Sequence, residues 1–218
     1  DMIFDVRSHL DEASAGYWDD DELARWIWEA SRDIARRTEW NQKVKRFDNV
    51  ASQQTYTLPD DMFRIFRVEY RRASGNSYAL EYQDFALMDD IWFTSRESTG
   101  EPQWYAIWGA PGVGTDQLYL YPVPTSAISQ GLYVYYYAVP PKVDTNDFNR
   151  VVEVPAGWED TIPLYVEYVA RRKESRDSRW REAFELYEIR VAEMMKTTRH
   201  WTDQENFVSG SGYGNLPG

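Results

Sequence analysis

The chain has 218 residues, 36 acidic against 24 basic side chains, a net charge of −12 and no cysteine. That length allows one or two domains with a buried core. The missing cysteine excludes disulfides, thiolate chemistry and Cys-ligated zinc or iron–sulfur sites, and the acidic balance argues against tight nucleic-acid binding, which depends on neutralising phosphates.

The first helical signal is residues 3–13, with Gly16 as the break. The next is residues 19–38, where Leu23, Trp26, Ile27, Ala30 and Ile34 recur at helical spacing. Asp19 followed by Glu22 has the form of a capping box, and Asp20 and Asp21 suit a helix start. From Lys43 the pattern turns to strands. "VKRFDNVASQQTYTLP" reads as two short strands about a turn at Asp48-Asn49. "FRIFRVEYRRASGNSYALEY" reads as a hairpin turning at Ser74-Gly75-Asn76. "DFALMDDIW" suits a short helix, and "STGEP" a loop. "QWYAIWG", "QLYLYPVP" and "GLYVYYYAVPP" are strand-like, and the weak alternation of the last suggests a strand covered on both faces.

After Pro155 the helical period returns. Ile162, Tyr165, Val166 and Val169 share one side, with Pro163 near the helix start, where its missing N–H matters least. Trp180, Ala183, Phe184, Tyr187, Val191 and Met194 form the next stripe, with Asp177 as a cap. The C-terminal "NFVSGSGYGNLPG" has the composition of a flexible coil.

Strands in one block between helices argue for an α+β fold. The expected organisation is a helical bundle of residues 1–40 with 156–199, an inserted antiparallel β lobe at 41–155, and an extended C-terminal tail at 200–218.

Motifs for chemistry are sparse. The two histidines, His9 and His200, lie far apart and stand in no metal-ligand spacing, so they read as surface residues. "GAPGVGT" at 109–115 lacks the Lys-Ser or Lys-Thr of a phosphate loop and reads as a hairpin turn. The acids at 19–21 are already accounted for by a helix start. No catalytic, metal or cofactor residues are therefore assigned. The densest basic run is at 170–181, and Arg171, Arg172, Lys173, Arg176 and Arg179 form a candidate contact patch for phosphate or an acidic partner, set against the plainer reading of a solvated helix junction. Aromatics make up 16% of the chain, with Trp 10 and Tyr 16. That is enough to supply interfaces as well as a core, because Trp and Tyr are enriched at binding hot spots.

The order of segments resembles the head-to-tail adaptor (connector) proteins of tailed bacteriophages. The elements are "GYWDDDELARWIWEASRDIA", "QTYTLPDDMFRIFRVEY", "GEPQWYAIWG", "LYLYPVP", "YYYAVPP" and "VPAGWEDTIPLYVEYVARRK", spread over about residues 7 to 195. The resemblance implies a helical bundle with a β lobe and no enzyme activity. It implies a homo-oligomeric ring, usually of 12 subunits, joining the portal to a tail or nozzle protein at the head-tail junction of the virion, assembled in the host cytoplasm. Genomic DNA would pass through without specific binding, and an acidic wall would repel its phosphates. The tail would dock on the portal through Trp201, Phe207, Tyr213 and Leu216, ordering only there. No run of apolar residues approaches the roughly 20 needed to span a bilayer, so no membrane partner is expected. The alternative reading is a carbohydrate-binding module or glycoside-processing enzyme that uses the aromatic β lobe.

Overall fold

A computed structural model of the chain describes residues 2–12, 16–88, 98–109, 116–142, 152–174 and 178–210, with the side chains of the last helix described through residue 198. The expectations for residues 89–92, 110–115, Arg176, Asp177 and 211–218 lie outside the described residues. The fold is mixed α+β. It forms two compact units, residues 1–40 with 139–218, and residues 41–138.

Among the described residues, the first unit holds four helices: α1 (Met2–His9), α2 (Asp20–Thr38), α3 (Thr161–Glu174) and α4 (Arg179–Gly210). Their apolar stripes converge on one cluster. Val6 comes from α1; Leu23, Ile27, Ala30 and Ile34 from α2; Ile162 and Val166 from α3; and Tyr187, Val191 and Met194 from α4. The stripe expected for α2 is buried throughout. That of α4 is buried at Ala183, Tyr187, Val191 and Met194, while Phe184 stays 38% exposed. α1 is shorter than the expected 3–13: the chain leaves the helix after His9, and Asp11 takes φ +57. α4 is longer than expected. It runs through Gly210, so residues 200–210 are helical backbone and not the extended tail anticipated. Glycine and proline are both missing from Arg179 to Ser209, so nothing in the chain interrupts the helix before Gly210.

Among the described residues, the second unit holds two sheets of four strands and a third of two. The first runs β1 (Gln42–Asn49), β10 (Ile128–Ala138), β3 (Met62–Arg71), β4 (Ser77–Ala79), antiparallel throughout. The second runs β2 (Thr55–Thr57), β8 (Gln117–Tyr121), β7 (Trp104–Trp108), β5 (Glu81–Tyr82). Two parallel pairings modify the all-antiparallel expectation: β5 with β7, and β6 (Thr99–Gly100) with β9 (Val123–Pro124). The expected "STGEP" loop thus contributes a short strand.

The hairpin forms where expected, β3 turning into β4 through Gly75 at φ +94, a backbone that suits glycine. The turn expected at Asp48-Asn49 is instead the end of one eight-residue strand, β1. Asn49 is 1% exposed and works inside the core: its amide donates to the Tyr70 hydroxyl at 3.2 Å, and its carbonyl oxygen accepts from the Tyr56 hydroxyl at 3.2 Å. One hydrophobic cluster joins the inner faces of both sheets, with Val68, Tyr70, Leu132, Val134 and Tyr136 from one and Tyr56, Tyr105, Leu118 and Leu120 from the other.

Candidate interaction surfaces

The start of α2 is tied to α1 by a charged knot. Arg7 is 6% exposed and donates to Glu12 (3.0 Å), to the Trp18 carbonyl (2.9 Å) and to Asp20 (2.6 Å). Glu12 in turn accepts from the backbone N–H groups of Gly16, Tyr17 and Trp18. Burial pushes the Glu12 carboxyl up, but those three amides together with Arg7 outweigh it and hold it below 4.5. Asp19 caps α2 as expected, accepting from the Glu22 N–H at 2.6 Å. Glu22 does not close the box; its carboxylate pairs with Lys173 at 2.5 Å. The three acids expected to serve a helix start are thus partly engaged there, and no cluster of possible metal ligands occurs among the described residues.

A second knot joins α2 to α4. Arg37 grips Glu188 with both terminal guanidinium nitrogens, at 2.6 and 2.8 Å, and the Tyr187 hydroxyl donates to Asp33 at 2.6 Å. The hydrogen bond from Arg37 lowers the Glu188 carboxyl below 4.5, and burial followed by the Asp33 carboxylate raises the Tyr187 hydroxyl well above its ordinary range.

The basic run falls at the end of α3 and the beginning of α4, and much of it is engaged within the molecule. Arg171 pairs with Glu167 at 2.6 Å, Arg172 donates to the Tyr168 hydroxyl at 2.7 Å, and Lys173, besides Glu22, lies 5.0 Å from the Trp18 ring. Arg179 is the first residue of α4. His9 lies 4.0 Å from Glu167 and is 45% exposed in its side chain, a surface position. Trp201 and Phe207 sit on helical backbone, while Tyr213 and Leu216 lie outside the described residues.

The aromatic surplus largely pairs with itself. On the second sheet Trp104 stacks on Tyr121 at 5.9 Å, and Phe85 meets both Trp108 (4.6 Å) and Tyr119 (5.1 Å). On the first sheet, β10 alternates after all: Leu132, Val134, Tyr136 and Ala138 enter the core. Tyr133, Tyr135 and Tyr137 take the opposite side. There the contacts come from neighbours on the same sheet. Phe66 lies 4.8 Å from Tyr137 and 6.1 Å from Tyr135, and Arg46 lies 5.5 Å from Tyr133. A bulge aims Phe66 outward. Arg67 opposes Tyr135 and Ile65 opposes Tyr136, so Phe66 is the extra residue. Phe66 is 41% exposed and Val44, across from Tyr135, is 43% exposed. This aromatic and basic face was not foreseen. Its one sequence signal is the run Tyr133 to Tyr137, which shows no partner strand.

Exposed apolar side chains rimmed by charge mark an interaction surface. The SU10 adaptor protein family's model matches residues 1–207, and the chain belongs to that family. The family is one of structural phage adaptors, so the chain is a structural protein and not an enzyme. No curated protein matches the chain. Among solved structures, the chain is similar to one in "Neck of empty GTA particle computed with C6 symmetry", at 11% identity over 76% of this chain and 74% of that one, with a TM-score of 0.32. A likeness that distant carries no argument about function.

Proposed function

We propose that the chain is one subunit of a ring, of 12 copies, at the head-tail junction of a virion, between the portal and a tail or nozzle protein. Membership of the adaptor family is the observation that carries this reading. The helical unit forms the bundle, residues 41–138 form the inserted lobe, and genomic DNA passes through the ring without specific binding. A net charge of −12 supports passage without capture, because an acidic wall repels phosphate. The C-terminal segment 200–218 docks on the portal through Trp201, Phe207, Tyr213 and Leu216, and assembly takes place in the host cytoplasm. With residues 200–210 helical, the first part of that docking element is a helix and not a coil. The basic positions 171–179 are a weaker contact candidate, since Arg171, Arg172 and Lys173 already have partners within the chain.

The test is to purify the tagged full chain from infected cells and image what comes with it by electron microscopy. A ring seated on a portal is the expected result. Single subunits carrying glycans, with no portal, would favour the carbohydrate reading instead.

A further inference from the structure

Two exposed faces of this chain complement each other. The outer face of the first sheet presents Val44 (43% exposed) and Phe66 (41%) beside Arg46. Arg46 lies over the Tyr133 ring and forms no ion pair with a described residue. The exposed side of α4 presents Leu186 (52%) and Ile189 (55%), three residues apart and so adjacent on the helix surface. Glu182 and Glu185 stand beside them, exposed and without a cationic partner among the described residues. Each face is apolar at its centre and charged at its edge. Arg67 on the sheet is matched by Glu69, and Arg190 on the helix by Asp160, so the charge left over is positive at Arg46 and negative at Glu182 and Glu185.

We propose that these faces bind each other between copies, the sheet face of one chain seating the α4 face of the next. The physical reason lies in the charges. A sheet face with unneutralised arginine does not pair with a second copy of itself, and neither does the acidic face of α4, because like charges across an interface are costly. The favourable match joins unlike faces. Such a contact is heterologous: it leaves one face of each kind free after every addition, so it propagates, and it closes only as a ring. Exposed apolar side chains at the centre supply the driving force and the charges set register. The inference rests on the ring reading above and names the surfaces that would build it.

The native chain has no cysteine, so introduced thiols report cleanly. Val44→Cys and Ile189→Cys variants would be prepared separately, mixed, and treated with a short bismaleimide. The mixture should give a covalent dimer at least ten times the yield of either variant alone, and the Val44→Cys/Ile189→Cys double variant should give a ladder of oligomers. Adding Arg46→Glu to the first variant, or Glu185→Lys to the second, should cut the mixed yield at least fivefold. Combining both reversals should restore it. Glu182 is left in place because it also serves the first turn of α4. Equal self-linking by either single variant, or no mixed product up to the highest soluble concentration, would overturn the proposal. Particles that carry the chain while the mixture fails to link would remove these surfaces but leave the adaptor reading intact. A ladder without portal attachment would do the reverse.

Discussion

At the scale of residues, the fold depends on a few polar groups placed where polar groups are costly. Arg7 is the clearest. It is nearly buried, yet three acceptors surround it, so its charge is matched rather than stranded. Arg7→Met should destabilise the chain by about 2–3 kcal/mol, less than the 3–5 of a fully buried pair because Asp20 keeps half its side chain in water. Denaturant unfolding checks this, and an unchanged midpoint would show the knot to be idle. Gly131 is a second such point. A Cβ there would sit 2.9 Å from the Asn49 Cβ and 2.9 Å from the Ile128 backbone oxygen, where β10 bulges against β1. Gly131→Ala therefore forces backbone apart and should cost about 1–3 kcal/mol, read as a fall in Tm of several degrees. The bulge itself is held by Asp48, which accepts from the Gln130 N–H at 2.7 Å.

At the scale of elements, two carboxylates join helices to each other. Glu12 fixes the entry to α2, and Glu188 fixes α4 to α2 through Arg37. Both are held below the ordinary value of 4.5. A depressed carboxyl contributes stability that is present above its unfolded pKa and is lost as pH falls through its folded one. The chain should therefore hold a level stability down to about pH 4.5 and weaken progressively below it. Glu188→Gln should flatten part of that acid limb, and thermal melts between pH 3 and 6 would read it. A limb identical to that of the native chain would separate Glu188 from acid stability. Exposed pairs such as Arg72 with Glu101 add little to this balance, because water screens them.

At the scale of the whole molecule, the deciding question is what the C-terminal segment serves. Residues 179–198 hold Tyr187, Val191 and Met194 in the helical core, and their loss would unfold the unit. On the docking reading, deleting 200–218 should leave the melting temperature within a few degrees of native while abolishing attachment to the portal. A pull-down of the truncated chain beside the full one tests both halves. An unfolded truncation would assign the segment to the fold instead of to docking.

The helices were legible because their signal is local. A stripe repeating every three or four residues, as at Leu23, Ile27, Ala30 and Ile34, marks a face that must be buried whatever it meets. The turn at Gly75 was equally local, and the absence of catalytic motifs agreed with the family. The C-terminal composition misled, because the glycines from Gly210 onward were weighed against residues 200–209, which contain none and continue α4. What the chain alone did not carry was pairing. β10 lies between β1 and β3, strands separated from it by more than fifty residues, and only the packed sheet decides that Tyr133 and Tyr135 look outward while Val134 looks in. The parallel partners of β5 and β6 and the burial of Arg7 belong to the same class. Local periodicity states which face of an element is apolar; which element covers it is settled by the summed burial of the folded core, a property no single segment contains.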